Sequence, residues 1–130
     1  MSSQLLTASN FSIGITASDL QKSLRFYTVG LGFEISNQHE SDGAVRFYSL
    51  KAGEAEIGIG QDDFAKGKDR VKGVGLRLWI TTAQDLGLIA GRVKTAGFKV
   101  DSEPAPLPWG QIAFTVTDPD GIKLTISNGG

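Results

Sequence analysis

Leu31-Gly32-Phe33-Glu34-Ile35 returns, with the same order of chemical types, as Ala96-Gly97-Phe98-Lys99-Val100, 65 residues further on. Each copy follows a helical stretch. The Asp19-Leu20 pair that opens the first stretch has a counterpart in Asp85-Leu86, at a spacing of 66. Phe47, in an apolar run beyond the first turn, matches Phe114 in Gln111-Ile112-Ala113-Phe114. An offset of half the chain means two copies of one unit, which places the expected site between the copies.

Upstream, Phe11-Ser12-Ile13-Gly14-Ile15-Thr16 alternates apolar with small or polar residues, as a half-buried strand does. Ser18 reads as a helix N-cap, with Gln21 completing a capping box. Leu20, Leu24, Tyr27 and Leu31 form one helical stripe, ended by Gly30 and Gly32. Strands are predicted at 33–38, 44–50 and 55–59, with turns at Asp42-Gly43 and Ala52-Gly53. Residues 61–72 are a polar connector. The second copy restarts with a strand at 75–81, Thr82 as cap, and a stripe of Leu86, Ile89, Val93 and Ala96 stopped by Gly97. Strands at 98–101, 111–116 and 122–127 complete it, with Asp118-Pro119-Asp120-Gly121 a strong turn signal. The predicted class is α+β, a single domain of two tandem βαβββ modules at about 9–61 and 73–128. Together they would form a cupped, mostly antiparallel eight-stranded sheet with one helix per module.

At 130 residues, 40% hydrophobic and 21% charged, the chain suits one domain burying roughly two-thirds of its unfolded surface. A net charge of −1 provides no field to gather nucleic acid or an anionic membrane, and neither is an expected partner. No apolar run reaches the ~18 residues of a membrane span. No basic segment followed by an apolar stretch follows Met1, so no export signal is read and the cytoplasm is the expected location. The absence of cysteine removes disulfides, thiolate ligands and Cys nucleophiles.

Strand parity assigns faces. Ile13 and Ile15 face the helix, leaving Ser12, Gly14 and Thr16 on the other side. Leu76, Leu78 and Ile80 likewise leave Arg77, Trp79 and Thr81 outward. Ile57, Ile59, Leu124 and Ile126 pack inward, so Glu56, Gly58, Lys123 and Thr125 point away. The same logic puts Arg46 and Tyr48 on that second, concave face.

The ordered set Ser18-Asp19-Leu20-Gln21-Lys22-Ser23-Leu24-Arg25-Phe26-Tyr27, Leu31-Gly32-Phe33, Ala96-Gly97-Phe98, Trp109-Gly110 and Asp118-Pro119-Asp120-Gly121 resembles the vicinal oxygen chelate superfamily. That group includes glyoxalase I, extradiol dioxygenases, fosfomycin-resistance enzymes and bleomycin-binding proteins. The resemblance implies two paired βαβββ units forming a cup, in which the enzymes hold a divalent metal with His and Glu ligands. The ligands come from the first and last strands of each unit, which aligns Ser12, Glu56, Arg77 and Thr125 with those positions. Only Glu56 would bind a metal well, against the three or so protein ligands a catalytic site needs. The single histidine, His39, sits at a strand end beside Glu40 and Ser41, away from any ligand position. Arg77 brings a positive charge where the cation would go. The expectation is therefore no cofactor, with a divalent metal as the alternative.

Two readings stand for each candidate. Arg77 and Trp79 make an anion clamp beside an aromatic platform for a planar or acidic ligand, or else Arg77 pairs with Glu56 while Trp79 fills space. Tyr48 and Arg46 are similar ligand candidates. Trp109, in the Pro106-Leu107-Pro108-Trp109-Gly110 loop, closes the cup or anchors its own loop. Glu56 is a general base if buried, and otherwise a solvated or ion-paired carboxylate. The Lys66, Lys68, Arg70 and Lys72 run is interleaved with Asp62, Asp63 and Asp69 and reads as a solvated loop. Gly58-Ile59-Gly60 lacks the lysine and helix of a phosphate loop, and no serine elbow accompanies His39.

The first functional reading is a metal-independent binder, similar to the bleomycin-resistance branch, that sequesters a toxic or antibiotic ligand. Arg77, Trp79, Tyr48, Arg46, Trp109, Ser12 and Thr125 are its expected contacts, and a small aromatic or acidic molecule its ligand. No residue is assigned a catalytic role beyond Glu56 as a candidate. A homodimer is implied by the resemblance, with the copies meeting within one chain or across two. The alternative is a metal-dependent lyase, isomerase or dioxygenase using atypical ligands.

Overall fold

The strand expected from Phe11 begins at Ile13 and ends at Ala17 (β1), with Ile15 and Ala17 buried and Gly14 and Thr16 turned outward. The computed structural model describes residues 5–67 and 71–129. Lys68, Asp69 and Arg70 of the interleaved connector lie outside the described residues. The first helix, α1 (Leu20–Arg25), is capped by Asp19 rather than Ser18: the Asp19 carboxylate accepts from the Lys22 N–H at 3.2 Å. Ser18 gives its own N–H to the Asp120 carboxylate, 3.1 Å from each oxygen. Gln21 forms no capping box, because its amide reaches the Tyr48 hydroxyl at 3.3 Å.

Beyond Arg25 the helix widens into a π-helical turn, Phe26–Gly30, where the Leu31 N–H bonds the Phe26 carbonyl at 3.0 Å. The adjacent residues Phe26 and Tyr27 are both fully buried there, their rings edge to face at 5.0 Å. Gly32 then turns the chain at φ +96°, a conformation that strains any residue with a Cβ.

Strands β2 (Glu34–Ser41), β3 (Ala44–Ala52) and β4 (Ala55–Gln61) complete the first module. Asp42 and Gly43, both at positive φ, make the two-residue turn whose twist suits a hairpin. The second module runs β5 (Arg77–Thr81), α2 (Leu86–Thr95), β6 (Val100–Pro106), β7 (Ile112–Thr117) and β8 (Lys123–Ser127). Asp85, not Thr82, caps α2 by accepting from the Gly87 and Leu88 N–H groups. Strand β6 extends five residues past the expected end at 101, to Pro106. Its prolines are tolerated because β6 is an edge strand, where one N–H side needs no partner.

The eight strands form two mixed sheets of identical order, β1-β4-β3-β2 and β5-β8-β7-β6. β1 runs parallel to β4 and β5 parallel to β8, with the remaining neighbours antiparallel. Each unit is thus βαβββ, as the sequence repeat implies. The helix-side faces of both sheets contribute to one apolar cluster, Ile15, Leu50 and Ile59 joining Leu78, Phe114 and Leu124. Burial of such side chains is worth roughly 1.5–3 kcal/mol apiece against exposure.

A polar seam crosses between the modules. The Tyr27 hydroxyl donates to Asp118 Oδ2 at 2.8 Å, while Asp118 Oδ1 accepts from the Asp120 and Ile122 N–H groups at 2.9 Å each. Asp120 also receives the Ser23 hydroxyl at 3.4 Å. Buried Lys72 lies 3.0 Å from Asp62 Oδ2 and donates to the Ser18 hydroxyl at 3.0 Å. The Asp118-Pro119-Asp120-Gly121 turn is therefore a docking element for α1. Burial pushes the Tyr27 phenol far above its ordinary value, and the neighbouring Asp118 charge adds to the effect. Burial likewise raises the Asp118 carboxyl, against the opposing pull of its hydrogen bonds. Among the described residues no helix is long and apolar enough to cross a membrane.

Candidate functional site

Residues opposite each other in a ladder share a face, so the register identifies what each sheet presents away from the core. On the second module Arg77 pairs with Lys123, Trp79 with Thr125 and Thr81 with Ser127. Arg77 Nη1 donates to Thr125 Oγ1 at 3.0 Å, and Trp79 Nε1 donates to Ser127 Oγ at 2.9 Å. Each long side chain leans across the sheet onto the hydroxyl one step along. Thr125 and Ser127 are buried, whereas Trp79 keeps 49% of its surface exposed with its indole N–H already satisfied. The result is a pre-positioned guanidinium beside an open aromatic surface.

The first module presents a different face. Phe47 pairs with Gly60, Ser49 with Gly58 and Lys51 with Glu56. The Phe47 ring lies across β4, over Gly58 and Gly60, filling space that glycine leaves. His39, opposite Phe47 in the register, sets its ring 5.8 Å away. Glu56 accepts from Asn10 Nδ2 at 2.8 Å and lies 3.9 Å from Lys51 Nζ.

The two faces approach along the edge strands β1 and β5. A cleft of about 550 Å³ opens there, with Phe11, Ile13 and Glu56 on one wall and Arg77 and Trp79 on the other. Arg77, Trp79 and Glu56 are thus brought together, with Thr125 beneath Arg77. No ion pair joins Arg77 to Glu56 within 4.0 Å, since Glu56 is held by Asn10 and Lys51. Ser12 is exposed, one residue before β1. Trp109 is 65% exposed on the β6–β7 loop and donates to Gln111 Oε1 at 2.8 Å, which anchors its own loop. It does not line this cleft.

Tyr48 requires correction. Tyr48 stands opposite Ile59, is only 7% exposed, and belongs to the core on the α1 side. Arg46 is the extra residue of a β-bulge between the Val45–Glu40 and Phe47–His39 pairs, is exposed, and does not line this cleft. The face of Tyr48 is the opposite of the one parity predicts, as a shift of one residue along a strand inverts a side chain. Leu50, fully buried and in phase with Tyr48, carried the right signal. Phe11 lines the cleft without being singled out by the sequence, while Phe47 and His39 pack against each other outside its lining.

The register also corrects the alignment between modules. Ile57, between Leu50 and Ile13, occupies the place that Leu124 takes between Val116 and Leu78. Glu56 therefore corresponds to Lys123, and Thr125 to Gly58, so Glu56 and Thr125 are two residues out of step. The matched positions supply one carboxylate, hydroxyls, a guanidinium and an ammonium. Among the described residues there is no group of three or more His, Cys, Asp or Glu side chains that could hold a metal ion. These residues do not fit the divalent metal that the superfamily's enzymes use.

The chain belongs to the Glyoxalase/Bleomycin resistance protein/Dioxygenase superfamily, whose model matches residues 11–126. Its fold is similar to TioX from Micromonospora sp. ML1, with a TM-score of 0.75 at 16% identity over 93% of this chain and 98% of that one. A superfamily member from Sphaerobacter thermophilus DSM 20745 matches with a TM-score of 0.72 at 26% identity, covering 95% of this chain and 99% of its own. A glyoxalase/bleomycin resistance protein/dioxygenase from Nocardioides matches at 0.72 and 16% identity, over 98% and 89%. No curated protein matches the chain in sequence.

Proposed function

We propose that this protein is a metal-independent small-molecule binder that sequesters an aromatic ligand bearing an anionic oxygen, in the manner of drug- or toxin-binding members of its superfamily. One observation carries the reading: Arg77 and Trp79 lie side by side on an open sheet face, each fixed by a buried hydroxyl and each with its binding surface free. A fixed guanidinium has already lost much of the freedom that binding would otherwise cost, and its planar fork suits a carboxylate or phenolate. The Trp79 face supplies apolar area and stacking.

A second copy of the chain completes the site on this reading. Trp79 and Phe11, 49% and 76% exposed, border a cleft left open along edge strands. Pairing two copies face to face would cover them and enclose the ligand. The test combines sedimentation for the oligomer, metal analysis of protein purified without chelators, and fluorescence titration with benzoate and benzyl alcohol. The expected result is a dimer without stoichiometric metal that binds benzoate more tightly than the neutral alcohol. Stoichiometric metal, or a preference for the alcohol, would overturn it.

A further inference from the structure

We infer that the ligand of this face carries a doubly charged oxyanion, held by Arg77 and Lys123 together, a step that rests on the second module's face being the binding face. Arg77 and Lys123 stand directly opposite each other in the parallel β5–β8 ladder, on neighbouring strands about 4.8 Å apart, and both are exposed. Like charges in that relation destabilise a sheet. Among the described residues neither cation has a carboxylate within 4.0 Å.

The nearby acids keep their charge but are held by other donors and pair with neither cation. Asp120 is bound by the Ser18 N–H and the Ser23 hydroxyl, and Asp101 by the Thr117 hydroxyl. The first module makes the contrast plain, because Glu56 at the position matching Lys123 has an opposite charge, Lys51, across the ladder at 3.9 Å. Beside the unpaired cations lies a hollow of about 690 Å³, lined by Gly73, Gly75, Leu76, Arg77, Asp120 and Lys123. Arg77 Nη1 is committed to Thr125, which leaves the other N–H groups of the guanidinium available to a ligand. A phosphate monoester or two adjacent carboxylates would supply two negative charges where two positive charges are held together. Trp79, two residues along β5 on the same face and in the neighbouring cleft with Arg77, would take the attached ring.

The test is a tryptophan-fluorescence titration at fixed ionic strength with benzoate, phthalate and phenyl phosphate. At least one of the two dianions should bind about tenfold tighter than benzoate, since charge-assisted bonds to both cations then form. Phthalate and phenyl phosphate distinguish paired carboxylates from a phosphate group, and either preference supports the inference. Lys123→Met should lower dianion affinity about tenfold more than benzoate affinity. Lys66→Met, the same change of charge on the connector, should leave that ratio alone. As a second readout, inorganic phosphate should raise the melting temperature of the native protein and not that of Lys123→Met. Dianions no better than benzoate, or a ratio untouched by Lys123→Met, overturn the inference while Arg77-dependent benzoate binding would leave the proposed function standing. If none of the three probes binds, both fail.

Discussion

A Cβ placed on Gly58 would stand 2.6 Å from Cζ of Phe47, so the Phe47 ring rests directly on the backbone of β4. Neither residue can be changed without the other responding. Gly58→Ala should cost about 1 kcal/mol, because the ring must swing off the sheet. In a Phe47→Ala background the same change should become neutral or stabilising, since glycine within a strand costs roughly 0.5–1 kcal/mol relative to alanine. Urea unfolding of the four proteins measures the cycle, and equal costs in both backgrounds would refute the packing.

Arg77→Ala should weaken benzoate binding by ~1.5–3 kcal/mol, the range for hydrogen bonds to charged groups. Arg77→Lys should restore only part of it, because an ammonium lacks the planar fork. Trp79→Ala should cost a comparable amount through lost contact and stacking. Calorimetric titration of the three variants decides, and a silent Arg77→Ala would leave only an aromatic surface.

Glu56→Gln should change ligand affinity little. The carboxylate is occupied by Asn10 and Lys51 and has no acid or base partner across the cleft. A loss beyond ~100-fold, roughly 2.7 kcal/mol, would show that Glu56 carries a ligand or metal contact.

The intermodule seam predicts a pH dependence. Burial raises the folded-state pKa of Asp118 above its ordinary value of 3.8, so its protonated form favours folding. That contribution is fully present below the ordinary value and is lost as pH rises through the raised one. The native protein should therefore gain stability relative to Asp118→Asn as pH falls from neutrality towards 4, measured by denaturant midpoints. Tyr27→Phe should cost about 1–2 kcal/mol, because the buried carboxylate loses one donor. A pH-independent difference between native protein and Asp118→Asn would exclude Asp118 as the titrating group.

The module order, both glycine stops and seven of the strands' approximate positions follow from the repeat and from local turn chemistry. What the sequence hid depends on longer-range pairing. The caps fall at Asp19 rather than Ser18 and at Asp85 rather than Thr82, because all four residues are of cap-forming types and only the chain path selects one. β6 runs past its expected end because Glu103-Pro104-Ala105-Pro106 reads as loop until its place at a sheet edge is known. Phe47 and Tyr48 are adjacent aromatics, and only the pairing of Tyr48 with Ile59 decides which is core. The Tyr27–Asp118 bond joins residues 91 apart, beyond any local signal.

The π-helical turn Phe26–Gly30 has an evolutionary reading. Asp19 to Gly32 is one residue longer than Asp85 to Gly97, yet both glycines end their helices at nearly the same φ, +96° and +95°. An extra residue in a regular helix would rotate everything after it by about 100° and turn the buried stripe away from its sheet. Here the widened turn absorbs the surplus within five residues. One half of a duplicated ancestor could thus gain a residue inside a helix while both halves kept their partners in the shared interior. Deleting Thr28 should accordingly return α1 to the regular helix that its twin retains.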